Sequence, residues 1–172
     1  WGGFAIHAAQ NYGCQVTTTT ISQEQFQLAK ERVKESGLQD RVEVLKEDYR
    51  NLNGQYDKLV SIEMIEAVGH QFLQGYFQKC SSLLKKDGML LLQAITIDDR
   101  RYQQASKTVD FIQRYIFPGG CLPSISVMAE HLRESTDLCI YHLEDITQHY
   151  VTTLKRWREG FFANLDQVHA QG

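Results

Sequence analysis

Scarcity narrows this chain first. Two prolines in 172 residues, with no low-complexity tract, leave no case for a disordered linker. No apolar run is long enough to cross a bilayer, and no stretch reads as a secretory leader. The four cysteines, Cys14, Cys80, Cys121 and Cys139, are scattered without a CxxC pair. That spacing favours buried free thiols in a reducing compartment over a disulfide framework or a zinc site. Acids and bases nearly balance at a formal net charge of −3, so no broad basic field recruits nucleic acid. The remainder, 42% hydrophobic and 23% charged, is the composition of one globular domain.

The start of the chain is unusual. Trp1-Gly2-Gly3 leads directly into an amphipathic run, as the tail of a glycine-rich nucleotide loop would. Such a loop follows a strand, so the sequence is expected to be a fragment lacking the strand before it. Helix and strand patterns then alternate. Gly3 to about Asn11 predicts a short helix, and the β-branched Cys14 to Thr20 a strand. Ser22 with Gln25 three residues on gives a capping-box start for a helix to about Ser36, closed by Gly37. Arg41 to Lys46 and Lys58 to Ile62 predict two further strands, with a helix from Phe72 to Leu84. Met89 to Thr96 is nearly all apolar and predicts a strand buried on both faces. This repetition predicts an α/β fold with a mostly parallel, doubly wound sheet.

After residue 97 the regularity breaks. Helices are expected at Thr108–Phe117 and Ser124–Glu134, around the turn Pro118-Gly119-Gly120. A late strand is expected at Leu138–Leu143 and a last amphipathic helix from His149 to about Val168. Residues 98–135 read as a helical insertion over the edge of the sheet. In open α/β sheets ligands bind beyond the carboxyl ends of the strands. The residues in those positions are Thr20, Ile21, Ser22 and Gln25; Asp48 and Tyr49; Glu63 and Glu66; and Gln93 and Ile95. Singly, Ser22 reads as a helix cap, Asp48-Tyr49 as a turn, and Glu63 with Glu66 as a solvated helix start. Gln93 stands apart, because an amide within an apolar strand must find hydrogen-bond partners or cost about 1–3 kcal/mol.

Together, Trp1-Gly2-Gly3, TTTTISQEQ (17–25), KEDYRNL (46–52), YDKLVSIEMIEAVGH (56–70) and YIFPGGCLPS (115–124) resemble the cyclopropane-fatty-acyl-phospholipid synthase family. The resemblance runs from residue 1 to at least Trp157. It implies a Rossmann-like class I methyltransferase using S-adenosylmethionine, with the first strand outside this chain. Trp1 and Gly2 would close on the methionine part of the cofactor. Thr20, Ile21, Ser22 and Gln25 would hold the ribose side, with Asp48 and Tyr49 flanking the adenine. Glu66, Gln93, Ile95 (through its backbone) and Tyr150 match residues that cage a bicarbonate. The implied reaction is methyl transfer to the double bond of an unsaturated phospholipid acyl chain. Bicarbonate then takes a proton from the resulting carbocation as the cyclopropane ring closes.

Two positions depart from the family pattern. Gln93 stands where the family usually has a histidine, and Ala67 where another usually follows the motif glutamate. Glutamine cannot take a charge at neutral pH, so a methylated or methylenated chain is the alternative product. A same-fold amine methyltransferase and a non-catalytic relative are the remaining alternatives. The resemblance also implies a cytoplasmic protein, peripheral on the inner membrane face, with a homodimer left open. The best docking candidate in the sequence is the stretch Leu154, Lys155, Arg156, Trp157, Arg158, Phe161 and Phe162. Family members extend at both ends, so the 172 residues alone are expected to be poorly stable and inactive.

Overall fold

The computed structural model describes residues 1–171, which fall into two compact units, residues 1–138 and those from 139 onward. The first unit is built from two βαβ repeats. Helix α1 (Gly3–Tyr12) leads to β1 (Val16–Thr20), α2 (Gln23–Glu35) and β2 (Val42–Lys46). Strand β1 pairs parallel to β2, with Thr20 opposite Lys46. The second repeat is β3 (Tyr56–Ile62), α3 (Leu73–Ser82) and β4 (Leu84–Gln93), again parallel, with Ile62 opposite Gln93. Parallel neighbours need a crossover element between them, and α2 and α3 supply it.

Local sequence explains the helix ends. The Ser22 hydroxyl accepts from the Gln25 N–H at 3.2 Å and caps α2. At the other end Leu38 N–H bonds to the Val33 carbonyl and Gly37 N–H to Lys34, the two bonds of a Schellman turn. Leu38 and Val33 also pack in the same apolar cluster, which gives that turn its usual hydrophobic contact.

Each repeat has its own core. Ala5, Ala9, Val33 and Val42 are buried between α1, α2 and the β1–β2 pair, with Val16 and Val44 against them. Ile65, Leu73, Tyr76, Phe77 and Cys80 form the second core, under Leu59, Leu90 and Leu92. Helix α6 (Ile125–Ser135) covers that core with Val127, Met128 and Leu132. Tyr76 is fully buried, and its phenol donates to the Ser61 hydroxyl at 2.7 Å. A buried hydroxyl without a partner costs about 1–3 kcal/mol, so this pair is a fixed point of the layer.

The alternation of strands and helices matches the sequence reading, while several details correct it. The strands pair two by two, and no ladder joins the pairs among the described residues. Strand β4 is not buried on both faces: Leu90 and Leu92 face α3, whereas Met89 and Leu91 are more than half exposed. Nothing in the described residues covers that second face. The strand also starts earlier and stops at Gln93, with a register shift opposite Tyr56 and Lys58 that absorbs Asp87-Gly88.

Residues 138–143 form no strand, since none of the described residues pairs with them; Tyr141 is almost fully exposed. Helix α4 (Asp99–Ala105) was not expected, since Arg100, Arg101, Gln103 and Gln104 give it no apolar stripe. Helix α5 (Phe111–Tyr115) is shorter than the predicted one, because Asp110 and Gln113 form a full capping box there. Cys14 and Cys139 are exposed, against the expectation of four buried thiols; only Cys80 is buried, and Cys121 is intermediate. The second unit holds α7 (Thr147–Ala163) and α8 (Leu165–His169). No helix of the described residues is long and apolar enough to cross a membrane.

Phe77→Ala in the full-length protein is expected to lower unfolding free energy by about 3–5 kcal/mol, as a large-to-small change in a closed core does. Ser61→Ala should lower it by about 1–3 kcal/mol, by stranding the Tyr76 hydroxyl. Urea unfolding monitored by circular dichroism measures both.

Candidate cofactor and acid site

The carboxyl ends of the four strands carry the polar groups that the sequence singled out. At the end of β1, the Thr20 hydroxyl donates to Gln25 Oε1 at 2.7 Å and accepts from Ser22 N–H at 3.1 Å. Gln25 is thereby turned back over the strand end. Together with Trp1, Gly2, Thr18, Thr19, Ala29 and Val44, these residues line a crevice of about 40 Å³. Gly2 has φ +85°, and a Cβ there would stand 3.2 Å from the Ala29 methyl. Both the left-handed backbone and the close approach demand glycine. Arg32 donates to the Trp1 carbonyl at 3.1 Å and ties the loop to α2. Ser22 is occupied as a cap and donates to Glu24, and Ile21 is largely exposed beyond the strand.

At the end of β2, Asp48 caps a single 3-10 turn over Tyr49–Asn51. Its carboxylate accepts from the Arg50 backbone N–H, Nε and Nη2 at 2.7–2.9 Å. These bonds, the side-chain ones foremost, hold its carboxyl down at about 2. Tyr49 is half-buried, with its ring edge-on to Tyr76 at 5.7 Å.

At the ends of β3 and β4 lies an acid cluster. Glu66, in the 3-10 turn Ile65–Ala67, accepts the Ile95 backbone N–H on Oε1 at 2.6 Å. Its Oε2 is buried and has no partner. An acceptor oxygen of this kind calls for a donor such as the O–H of a bound acid. Gln93 is half-buried rather than fully buried, and its amide donates to Glu63 Oε1 at 3.0 Å. The Cys121 backbone N–H donates to the Glu66 carbonyl at 2.7 Å, so the segment after Pro118 supports the acid's turn from below. Space is tight at Gly120, where a Cβ would meet the Phe117 carbonyl at 3.0 Å.

Glu66, Ile95, Gln93 and Glu63 are thus brought together, as are Trp1, Gly2, Thr20 and Gln25. Tyr150 lies in the other compact unit, on α7, where its ring meets Trp157 edge-on at 6.3 Å. Sequence reasoning gave Glu63 no role beyond a solvated helix start. The available signal was its place one residue past β3, opposite the end of β4. Among the described residues no group of three or more His, Cys, Asp or Glu is arranged to hold a metal ion.

Parallel βαβ repeats with ligand-facing residues at the strand ends are the architecture of class I S-adenosylmethionine-dependent methyltransferases, and solved structures of that class match this fold. The profile of the mycolic acid cyclopropane synthetase family matches residues 1–171, and the chain belongs to that family. It is 40% identical over 166 residues to a tuberculostearic acid methyltransferase of Mycobacterium tuberculosis, covering 96% of this chain and 39% of the relative. It is 38% identical over 169 residues to the cyclopropane-fatty-acyl-phospholipid synthase of Escherichia coli, covering 98% of this chain and 41% of the relative. The chain therefore spans about two fifths of the curated relatives it matches. A crystal structure of a mycolic acid cyclopropane synthase complexed with SAH and CTAB superposes with a TM-score of 0.88 at 28% identity, over 99% of this chain and 62% of that one.

The Asp48–Arg50 pair carries a pH signature. The folded carboxyl, at about 2, lies below its ordinary 3.8, so its stabilisation is fully present above pH 3.8 and is lost as pH falls towards 2. Asp48→Asn is expected to flatten this part of the acid-unfolding curve by lowering stability above pH 3.8, by about 1 kcal/mol or less for a solvent-screened pair. Acid titration followed by fluorescence measures it.

Proposed function

We propose that the full-length protein carrying this chain is an S-adenosylmethionine-dependent lipid methyltransferase. It acts on the double bond of an unsaturated phospholipid acyl chain and closes a cyclopropane ring. The observation that carries this reading is the Glu66 carboxylate, anchored through Oε1 to Ile95 and buried without a partner at Oε2. Family membership and the names of the two relatives above, both enzymes of fatty-acyl modification, support it.

The donors and acceptors at the strand ends suit the polar groups of the cofactor. Trp1, Gly2, Thr20 and Gln25 line one crevice, and glycine at position 2 admits backbone approach. Ile21 and Ser22 flank it, and Asp48 and Tyr49 stand at the next strand end for the ribose and adenine. S-adenosylmethionine supplies a methyl group on a positively charged sulfur. The chain's own part is positioning and electrostatics. Glu66 supplies one vacant acceptor oxygen, which suits the hydroxyl of bicarbonate. Gln93 and the Ile95 backbone stand beside it, and Tyr150 is a further cage residue only as the family resemblance implies. Residues 98–135 cover the substrate side, where Phe111, Ile112, Ile116 and Phe117 are exposed apolar groups suited to an acyl chain. Peripheral membrane contact falls to α7, with Leu154, Trp157, Phe161 and Phe162 exposed beside Lys155, Arg156 and Arg158. The membrane face proposed is the cytoplasmic one, as the family resemblance implies, and pairing with a second copy is tested by its oligomeric state in solution.

A second reading keeps the lipid and changes the product to a methyl-branched or methylenated chain. Gln93 favours it, because an amide cannot help a base to carry charge, and so does the methyltransferase name of the 40% identical relative. Incubating the full-length protein with S-adenosylmethionine, bicarbonate and vesicles of unsaturated phospholipid separates the two. Cyclopropane signals in the acyl-chain NMR spectrum support the first reading; methyl-branch or methylene signals with one added carbon support the second. An unchanged lipid overturns both. Cofactor consumption without lipid change would then point to an amine substrate, and its absence to a non-catalytic relative. Glu66→Gln is expected to lower turnover about 100-fold or more, the scale of a lost acid–base or electrostatic group, with cofactor affinity retained. Gln93→His is expected to raise turnover without weakening cofactor binding.

A further inference from the structure

One residue of the acid cluster sits on backbone that its side chain disfavours. Glu63, the first residue after β3, has φ +50° and is the only non-glycine with positive φ among the described residues. Side chains rarely occupy the left-handed region unless surrounding structure holds them there. Two hydrogen bonds to a single partner do so. The Glu63 N–H donates to the Gln93 carbonyl at 3.0 Å, one step past the Ile62–Gln93 register. The Gln93 Nε2 donates back to Glu63 Oε1, also at 3.0 Å.

The second bond decides which way the amide faces. A carboxylate only accepts, so the NH2 group of Gln93 must be the end turned to Glu63. The carbonyl Oε1 is then turned away from Glu63. A glutamine without such a partner presents either end, since its amide rotates freely about the last torsion. Glu63 therefore removes a choice that Gln93 would otherwise keep.

We propose that Glu63 is a positioning residue: it fixes the Gln93 carboxamide so that the acid site meets its substrate with a carbonyl oxygen rather than an NH2 group. The significance of this orientation rests on the proposed function. A site that faces developing positive charge on an alkene carbon gains from acceptor lone pairs and loses from N–H dipoles. With Oε2 of Glu66 left as a free acceptor and Gln93 held carbonyl-outward, both side chains present electron-rich oxygen. Glu63 need not touch substrate, since it acts through Gln93.

Two substitutions test this without demanding a new fold. Glu63→Gly and Glu63→Asn both tolerate left-handed backbone and keep the backbone N–H, while neither extends a carboxylate to Gln93. The first measurement needs no cofactor or lipid. In the isotope-labelled full-length protein, the two Gln93 Nε2 protons are expected to be separated in the NMR spectrum beyond a free amide, and to collapse to the free-amide positions in both variants. Free-amide positions in the unsubstituted protein overturn the proposal, whatever the lipid assay gives. The second measurement is turnover on unsaturated phospholipid vesicles. Both variants are expected to lose about tenfold in kcat, the scale of a small misplacement in an active site, with the KM for S-adenosylmethionine unchanged. Glu63→Gln, which retains an acceptor oxygen, should recover part of the loss. In a Gln93→Ala background, Glu63→Gly should have no further effect. An equal loss in that background, or no loss in either, overturns the positioning role. Absence of any lipid product from the unsubstituted protein counts against the proposed function instead, and the NMR result still decides the role of Glu63.

Discussion

The parallel pairing of β3 with β4 sets Ile62 opposite Gln93, and the whole acid cluster follows from that register. One residue past it Glu63 bonds Gln93, and two residues further along β4's exit Ile95 offers its N–H to Glu66. A slip of one residue would exchange the faces of every side chain in the strand. Leu90 and Leu92 would leave the α3 core, and Gln93 would turn away from Glu63. The register is held from the other side by Ser61, whose hydroxyl accepts from Tyr76 in α3. Apolar burial and one buried polar pair thus fix where the site's charges stand.

Glycines and aromatics serve the site in different ways. Gly2 and Gly120 each let backbone run where a methyl group would be crowded, one against α2 and the other beneath the Glu66 turn. Tyr49 and Tyr76 do the reverse and fill space between the repeats with their rings. Burial in this layer pushes the Cys80 thiol up to about 11 and raises the Tyr76 phenol as well. Both remain neutral packing groups at physiological pH.

Much of this was legible in the sequence because it depends on local signals. Ser22, Gln25 and Gly37 mark the ends of α2, and β-branched runs mark the first two strands. The positions beyond the strand ends held the polar residues that now line the crevice and the acid cluster. What escaped was set by tertiary context. An apolar strand reads as buried on both faces whether or not anything covers the second one, as Met89 and Leu91 show. Leu138–Leu143 has strand composition and finds no ladder. Glu63 looked like a surface acid, since nothing local to it predicts a left-handed backbone; its partner lies thirty residues away along β4. The family resemblance carried the likeness of Tyr150 to a cage residue, which no local pattern around it could supply.

No backbone ladder joins the β1–β2 pair to the β3–β4 pair within the described residues, yet the proposed chemistry needs both. The stitches between them are side chains: Tyr49, just past β2, against Tyr76, and Lys79 donating to the Leu52 carbonyl at 2.9 Å. Both contacts end on α3: Tyr76 and Lys79 lie on the one helix that packs against β3 and β4. A single helix thus touches the exit of β2 and the core under the acid cluster together, so a substitution on its buried face would be felt at both strand ends.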